Sequence, residues 1–482
     1  MKEQAERALE AARLAGAAYA DVRIVHQRVQ SLSTKNAQVG ALDCHEGEGF
    51  GVRVLKDGAW GFASSAGLDR DTLERVARAA VAIAAASARV HRQPVRLAPV
   101  PPVQAVYRTA VEIDPFAVPL EEKLELLFRI DRTLLEEKKV RVARSSMDFS
   151  RKQQLFLSTE GACIEQEIVW SGAGTTATAV ADGEIQVRSY PNSFRGQFEA
   201  AGYEMVRKWD LLSHAPRVAS EAAALLTADP CPPGRRTLIL DGSQVGLQVH
   251  ESCGHPAELD RVLGTEANYA GMSFLSLDKL GKLRYGSPLV TIRADATSPG
   301  GLGTFGYDDE GVPAQSWDLV REGLFSGYLT SRETAAAVGE AGSRGCMRAE
   351  GWRNFPLIRM VNVSLLPGTW RLDDLIADTD DGIFMDVNRS WSIDQYRYNF
   401  QFGTEIGWEI KNGRRLRMLK NPTYQGITVE FWNRCDAVCD PDHWVLWGIP
   451  TCGKGQPGQT MGTGHGASPA RFRDVRVGVA YD

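Results

Sequence analysis

No run of eighteen or more apolar residues occurs in the 482-residue chain, which excludes a membrane-spanning helix. The longest apolar tract, around residues 79–88, is alanine-rich and interrupted at helical spacing. A dominant charge is missing too. Lys+Arg 55 against Asp+Glu 60 leaves a net −5 with both signs interspersed, so there is no electrostatic footprint for nucleic acid. The eight cysteines lack the close pairing of a disulfide scaffold and fit a reduced cytoplasm. The N-terminus, Met1-Lys2-Glu3-Gln4-Ala5-Glu6-Arg7, lacks the apolar core of a secretory signal and reads as the first helix of the fold. Histidine is scarce as well, eight in all, yet two of them fall within six residues.

Those six are His250-Glu251-Ser252-Cys253-Gly254-His255. Two imidazoles beside a carboxylate are what a catalytic zinc site needs: nitrogens to hold the ion and an acid to take a proton from the activated water. The familiar helical motif has two residues between Glu and the second His; this one has three. In a regular helix, at about 100° per residue, positions i and i+5 diverge by about 140° and cannot grip one ion. A single wide π-type turn would restore the alignment, as would a helix end between the histidines. The surroundings favour a disturbed helix end. Arg236–Leu240 reads as a buried strand, Asp241-Gly242-Ser243 as a turn with Ser243 as N-cap, and Val245, Leu247 and Val249 as a short apolar helix. Gly254 and Pro256 flank the second histidine and oppose regular continuation.

A catalytic zinc takes three protein ligands and keeps one open position. Candidates for the third are Glu258 and Asp260 just after the motif, His465 in a glycine-rich stretch, and Cys452 in Pro450-Thr451-Cys452-Gly453-Lys454. Cys435, Cys439 and His443 repeat every four residues and could form a second, soft site, though Pro441 interrupts any helix there. The glycines of 299–306 lack a phosphate-loop ending and read as a loop beside a cleft. Asp308-Asp309-Glu310 reads as a capping or solvated turn before a hard-cation site.

Taken in order, His-Glu-Ser-Cys-Gly-His at 250–255, Gly306-Tyr307-Asp308-Asp309-Glu310-Gly311, Cys452-Gly453-Lys454 and Phe472–Gly478 give a sequence that resembles the TldD branch of the TldD/PmbA family along nearly its whole length. The resemblance implies a cytoplasmic metallopeptidase with one Zn2+ per chain, held by His250, His255 and Cys452, and Glu251 as catalytic base. It also implies short or unfolded polypeptides as substrate, and a homodimer or a hetero-oligomer with a PmbA-like subunit. His465 is the first candidate for stabilising the oxyanion, with Tyr307 and Arg348 behind it. A rival class is a non-catalytic binding or regulatory subunit with a structural zinc, which a fourth ligand such as His465 would favour. The chain departs from some relatives at Val387–Asp394, where they carry a glycine-rich stretch, and the aromatic-rich Gln395–Phe402 follows.

Periodicity predicts an α+β fold: two small helix-plus-antiparallel-sheet units at 1–91 and 120–228, a Pro-rich linker at 92–119, and a larger β-rich domain at 229–482 carrying the short metal-binding helix. Helices are expected at 2–16, 120–138 and 198–226, and another opens at Asp71 and Glu74 with an apolar face from Leu73 to Ala84. Lys56-Asp57-Gly58 and Asn412-Gly413 read as hairpin turns.

Overall fold

The computed structural model describes residues 1–90 and 93–479; residues 91 and 92, where the first unit and the linker were expected to meet, and 480–482 lie outside the described residues. The N-terminal half is built on longer strands than the segments 21–29, 31–35, 49–55 and 60–64 that periodicity marks as strand. Helix α1 (Lys2–Leu14) leads into β1 (Tyr19–Lys35), β2 (Gln38–Lys56) and β3 (Ala59–Ser65). Asp57 and Gly58 both take positive φ, as the two-residue turn between β2 and β3 requires. Helix α2 (Arg70–Ala88) is capped by Asp69, whose carboxylate accepts from the Thr72 N–H at 3.0 Å, two residues before the expected cap. It buries Leu73, Val76, Ala77, Ala80, Val81 and Ala84, the face that its spacing predicts.

The extended segment after α2 contains β4 (Gln104–Arg108). Helix α3 (Leu120–Leu135), β5 (Val140–Ser158), β6 (Cys163–Ala181), β7 (Glu184–Tyr190) and β8 (Gln197–Glu199) follow. The expected helix at 198–226 is two helices, α4 (Glu204–Trp209) and α5 (Leu211–Leu225). Asp210 separates them with φ +37° and caps the second by accepting from the Ser213 N–H. All eight strands form one sheet in the order β3-β2-β1-β5-β6-β4, with β7 and β8 also on β6. The joint is the antiparallel pairing of β1 with β5, from Asp21↔Ser158 to Lys35↔Arg144. Two separate cores lie against it, one under α1 and α2 and one under α3 and α5.

The C-terminal region holds an eight-stranded and a six-stranded sheet. In the first, Asp381–Ile393, Gly234–Leu240, Ala470–Val479, Pro422–Ile427 and Asn399–Lys411 pair in that order, and the last pairs back with the first, closing a small barrel. The second ends on the hairpin Val445–Lys454 and Gln459–Ala467. Strand Gly234–Leu240 feeds straight into helix α6 (Gly242–Val249), which lies between the two sheets. Asp241, and not Ser243, is the cap: its carboxylate accepts from both the backbone N–H and the hydroxyl of Ser243 at 2.9 Å. Gly246 lets the helix approach the hairpin, since a Cβ there would stand 3.3 Å from that of His465.

The 306–311 turn ties the two halves together. Asp308 caps its own turn, accepting from the N–H groups of Glu310 and Val312 at 2.9 Å. Asp309 accepts from Gln154 of β5 at 2.7 Å. Glu310 meets Arg53 of β2 at 3.2 Å and accepts from the Arg332 N–H at 2.7 Å. The acidic triplet is thus spent on capping and on an interdomain latch.

Candidate metal centre

The extra residue of the motif is absorbed by a π-helical turn. Helix α6 widens into a π-turn over His250–Gly254 and tightens to a 3₁₀ turn at His255–Ala257. A π-turn sets i+5 almost over i, so both histidines emerge on one side. The turn is braced from outside. Trp432 Nε1 donates to Ser252 Oγ at 2.9 Å, and the Tyr285 hydroxyl donates to the Ser252 carbonyl at 2.9 Å. Gly254 lets Met360 pack closely against the turn: a Cβ would stand 2.1 Å from Met360 Sδ, so that side chain would have to move.

Cys452 arrives from the hairpin of the six-stranded sheet. Its Sγ lies 3.5 Å from His250 Nε2 and 3.5 Å from His255 Nε2. The three ligand atoms all lie within 4.8 Å of one another, and among the described residues no other group of His, Cys, Asp or Glu converges in this way. All three residues are buried. Burial pushes both imidazoles well below their ordinary pKa and pushes the thiol up to about 11.

The outer nitrogens are committed. His465 Nδ1 is 2.9 Å from the Val363 carbonyl, which only accepts, so that nitrogen carries a proton. Burial holds the His465 pKa down to about 4, so the ring is neutral and its Nε2 is an acceptor. It accepts from His250 Nδ1 at 2.7 Å and from the Thr463 hydroxyl at 3.0 Å. On the other ring, His255 Nδ1 donates to Glu258 Oε2 at 2.9 Å. Both motif histidines are therefore neutral Nδ1–H tautomers with a bare Nε2 lone pair facing Cys452. This is the outer-partner arrangement that fixes metal-binding histidines.

Glu258 sits in a buried charge network. Lys454 Nζ lies 3.4 Å from it and 2.6 Å from Asp260, and Arg261 pairs with Glu266 at 2.5 Å. The Gly455 N–H donates to Glu266 at 3.1 Å. The network clamps the segment after His255 to the strand carrying Cys452. Glu258 and Asp260 thus stand beside the ligand set and outside it. Glu251 is 7% exposed; burial raises its pKa, while Arg397 and Arg261 and a hydrogen bond from Trp391 pull it back. Arg397 Nη1 donates to its Oε2 at 2.5 Å.

The remaining sequence candidates fall elsewhere. His465 stands behind His250 with both ring nitrogens engaged. Arg348 donates to the carbonyls of Met360, Gly462 and Leu302 at 2.8, 3.0 and 3.2 Å. Tyr307 lines a cavity of about 340 Å³ between the N-terminal sheet and the C-terminal region, which reaches Thr451 and Met461 beside Cys452. Cys435, Cys439 and His443 do not converge: both cysteines are in the core, and His443 pairs with Asp440 at 2.6 Å. Of the glycines of 299–306, Gly301 and Gly303 pack against Asn362, whose Oδ1 accepts from the Gly303 N–H at 2.9 Å, and Gly306 packs against Tyr107. Sequence reasoning gave no role to Lys454, though it stands in the Cys-Gly-Lys motif. It missed Arg397, for which the only signal was the aromatic-rich segment around it.

Comparisons with known proteins give the family. The chain matches the family models for PmbA/TldA metallopeptidase domain 1 over residues 20–84, the central domain over 113–228 and the C-terminal domain over 233–478. A metalloprotease of Methanocaldococcus jannaschii is 31% identical over 453 residues, covering 94% of this chain and 95% of the relative. A zinc metalloprotease TldD homolog of Saccharolobus solfataricus is 28% identical over 246 residues, 51% of this chain and 52% of the relative. Two solved structures share the fold. A Thermotoga maritima protein described as a putative modulator of a DNA gyrase has TM-score 0.78 at 17% identity, covering 99% of each chain. TldE from Thermococcus kodakarensis has TM-score 0.74 at 16% identity, covering 98% of this chain and 100% of that one. The chain belongs to the PmbA/TldD metallopeptidase family and is a metallopeptidase.

Proposed function

We propose that the protein is a zinc peptidase of the cytoplasm acting on short or unfolded polypeptides, with His250, His255 and Cys452 as metal ligands and Glu251 as general base. One observation carries this reading: two bare Nε2 atoms and one sulfur converge, each histidine fixed from behind, beside a buried carboxylate. Two imidazoles and a thiolate suit zinc, and three protein ligands are the number found in catalytic sites. When bound, zinc supplies a Lewis acid for the peptide carbonyl and lowers the pKa of water.

The protein's own groups do the rest. Glu251 takes the proton of the attacking water and returns it to the leaving amine. Its buried position raises its proton affinity toward the working range, while Arg397 keeps the anion accessible. His465 and Glu258 hold the ligand rings in register, so we assign them to positioning and not to the oxyanion. The β-rich surroundings suit a substrate bound as an added strand, in which backbone hydrogen bonds tolerate many sequences. The likeness in fold to TldE supports assembly with a PmbA-like subunit or a second copy. A structural zinc would need a fourth protein ligand, and His465, the candidate for it, turns both nitrogens elsewhere.

Zinc content and peptide cleavage, measured on the wild type, Glu251→Ala and Cys452→Ala, test the reading. Glu251→Ala keeps zinc and loses cleavage by about 10²–10⁴-fold; Cys452→Ala loses both. Full activity in Glu251→Ala sinks the mechanism.

A further inference from the structure

The barrel strands Asp381–Ile393 and Asn399–Lys411 are joined by a turn over 394–398, where the stretch that departs from some relatives gives way to the aromatic-rich segment. That turn delivers Arg397 to the metal centre. Besides the bond from Nη1 to Glu251, the side chain is 15% exposed, and its Nε is buried with no hydrogen-bond partner among the described residues. Arg23 and Arg359 also leave Nε unpaired, at a cost of about 1–3 kcal/mol each; what sets Arg397 apart is that its guanidinium is bonded to Glu251 while its side chain keeps some exposure.

The backbone is built to hold this arginine still. Arg397 has φ +64°, a region that costs a non-glycine residue about 1–3 kcal/mol. The turn is pinned on several sides. The Arg397 N–H donates to the Asp394 carbonyl at 2.9 Å, and the Thr428 hydroxyl donates to the Arg397 carbonyl at 3.0 Å. The Asp394 carboxylate accepts from the N–H groups of Tyr398 and Asn399 at 2.8 and 3.1 Å. The Phe274 N–H donates to the Tyr396 carbonyl at 3.0 Å. A fixed cation is what electrostatic stabilisation of a transition state requires, because it needs no reorganisation during the reaction.

We propose that Arg397 is a catalytic residue whose guanidinium donates to the oxyanion formed when water adds to the scissile carbonyl. The proposal rests on the peptidase reading above. In that step the water oxygen bonds to the carbonyl carbon, the π pair moves onto the carbonyl oxygen, and the water proton passes to Glu251. Arg397 Nη1 is already bonded to the carboxylate that takes the proton, which sets the guanidinium beside the reacting atoms. An anchor for a peptide's C-terminal carboxylate would stand further along the substrate. His465, Arg348 and their neighbours donate to other acceptors and leave this role open.

The test compares zinc-loaded wild type, Arg397→Lys and Arg397→Met on two peptides identical but for a free or amidated C-terminus. Arg397→Met lowers kcat by about 10²–10³-fold on both, with KM within about threefold and zinc content unchanged. Arg397→Lys keeps more of the rate, and added methylguanidine restores part of what Arg397→Met lost. Calorimetry gives a readout apart from turnover. A phosphinic peptide, whose tetrahedral anion mimics the adduct, binds Arg397→Met about 100-fold more weakly, while a substrate peptide bound to the Glu251→Gln form is unaffected by the same change. The assignment falls if kcat is unchanged, if the loss is confined to the free-acid peptide, or if zinc is lost in proportion to activity. A zinc-loaded wild type that leaves both peptides intact sinks the peptidase reading and this assignment with it.

Discussion

Around Arg53 and around His255 the protein buries charge in two ways. Arg53, 1% exposed, meets Asp21 at 2.7 Å and Glu310 at 3.2 Å and lies over the Trp60 ring at 4.5 Å. Arg23 reaches Asp309 at 3.5 Å and donates to the Asn354 carbonyl at 2.6 Å. This cluster pairs charge with charge across the joint between the N-terminal sheet and the C-terminal region. Around His255, Glu258, Asp260, Glu266, Arg261 and Lys454 are equally buried, but the chain of bonds ends on an imidazole whose inner nitrogen faces Cys452. The first cluster leaves Asp21 Oδ1 and Arg23 Nε unpaired, yet no set of ligand atoms converges there; the second aims one lone pair at Cys452. Burial, ion pairing and an unpaired atom alone therefore do not mark a site in this protein. The convergence of free ligand atoms from separate elements does.

If that distinction is right, breaking each cluster yields a different phenotype. Arg53→Met leaves Asp21 and Glu310 without their shared cation. Removing one partner from a buried set costs about 3–5 kcal/mol. We expect a clearly lowered thermal midpoint in the metal-free protein, with zinc affinity of the folded protein unchanged by competition with a chelator. A matching loss of zinc affinity would show that the two clusters are one system. Glu258→Gln, which also removes a buried ion partner, should lower zinc affinity along with stability. The amide can still accept from His255 Nδ1 but no longer offers a carboxylate to Lys454 and Arg261. Loss of such an outer partner costs about 10–100-fold in metal affinity. Chelator competition reads this directly, and an unchanged affinity would reduce Glu258 to a bystander.

How far the sequence foretold this contrast depends on what each element leaves in the local pattern. A break in the helix was legible because the two histidines of H-E-x-x-x-H cannot grip one ion on a regular helix; Gly254 and Pro256 pointed to a helix end, where the chain instead widens into a π-turn. The hairpin turns at Asp57-Gly58 and Asn412-Gly413 were legible because positive φ at both positions leaves a compositional mark. Residues 38–48 of β2 were not read as strand: that part is exposed on both faces, and the alternation that reveals strands comes from burying one. The pairing of β1 with β5 joins residues more than a hundred positions apart, and no local signal encodes it. Cys452 was one candidate among several on its glycine-rich context and was singled out only through resemblance, since a lone cysteine is more often a small apolar residue. Glu258 was read as a possible ligand because spacing locates a carboxylate without saying which nitrogen it faces. The role of Arg397 depends on a turn backbone held by Asp394, Thr428 and Phe274, three residues scattered along the sequence.

The finest test of the contrast concerns His465, where two donors share one acceptor. Its Nε2 receives both His250 Nδ1 at 2.7 Å and the Thr463 hydroxyl at 3.0 Å. If the chain from the Val363 carbonyl through His465 exists to fix the His250 tautomer, only the first bond bears on the metal. Thr463→Val deletes the second donor while keeping the shape, and His465 retains an acceptor role toward His250. The expected cost is about 0.5–1.5 kcal/mol of stability, the net worth of one hydrogen bond. Chelator competition should show zinc affinity changed by less than about threefold, well short of the loss expected for an outer partner of a ligand. An affinity loss as large as that of Glu258→Gln would mean that Thr463 helps to set the His465 ring, and that the aimed network extends one residue further along the hairpin than the bond lengths imply.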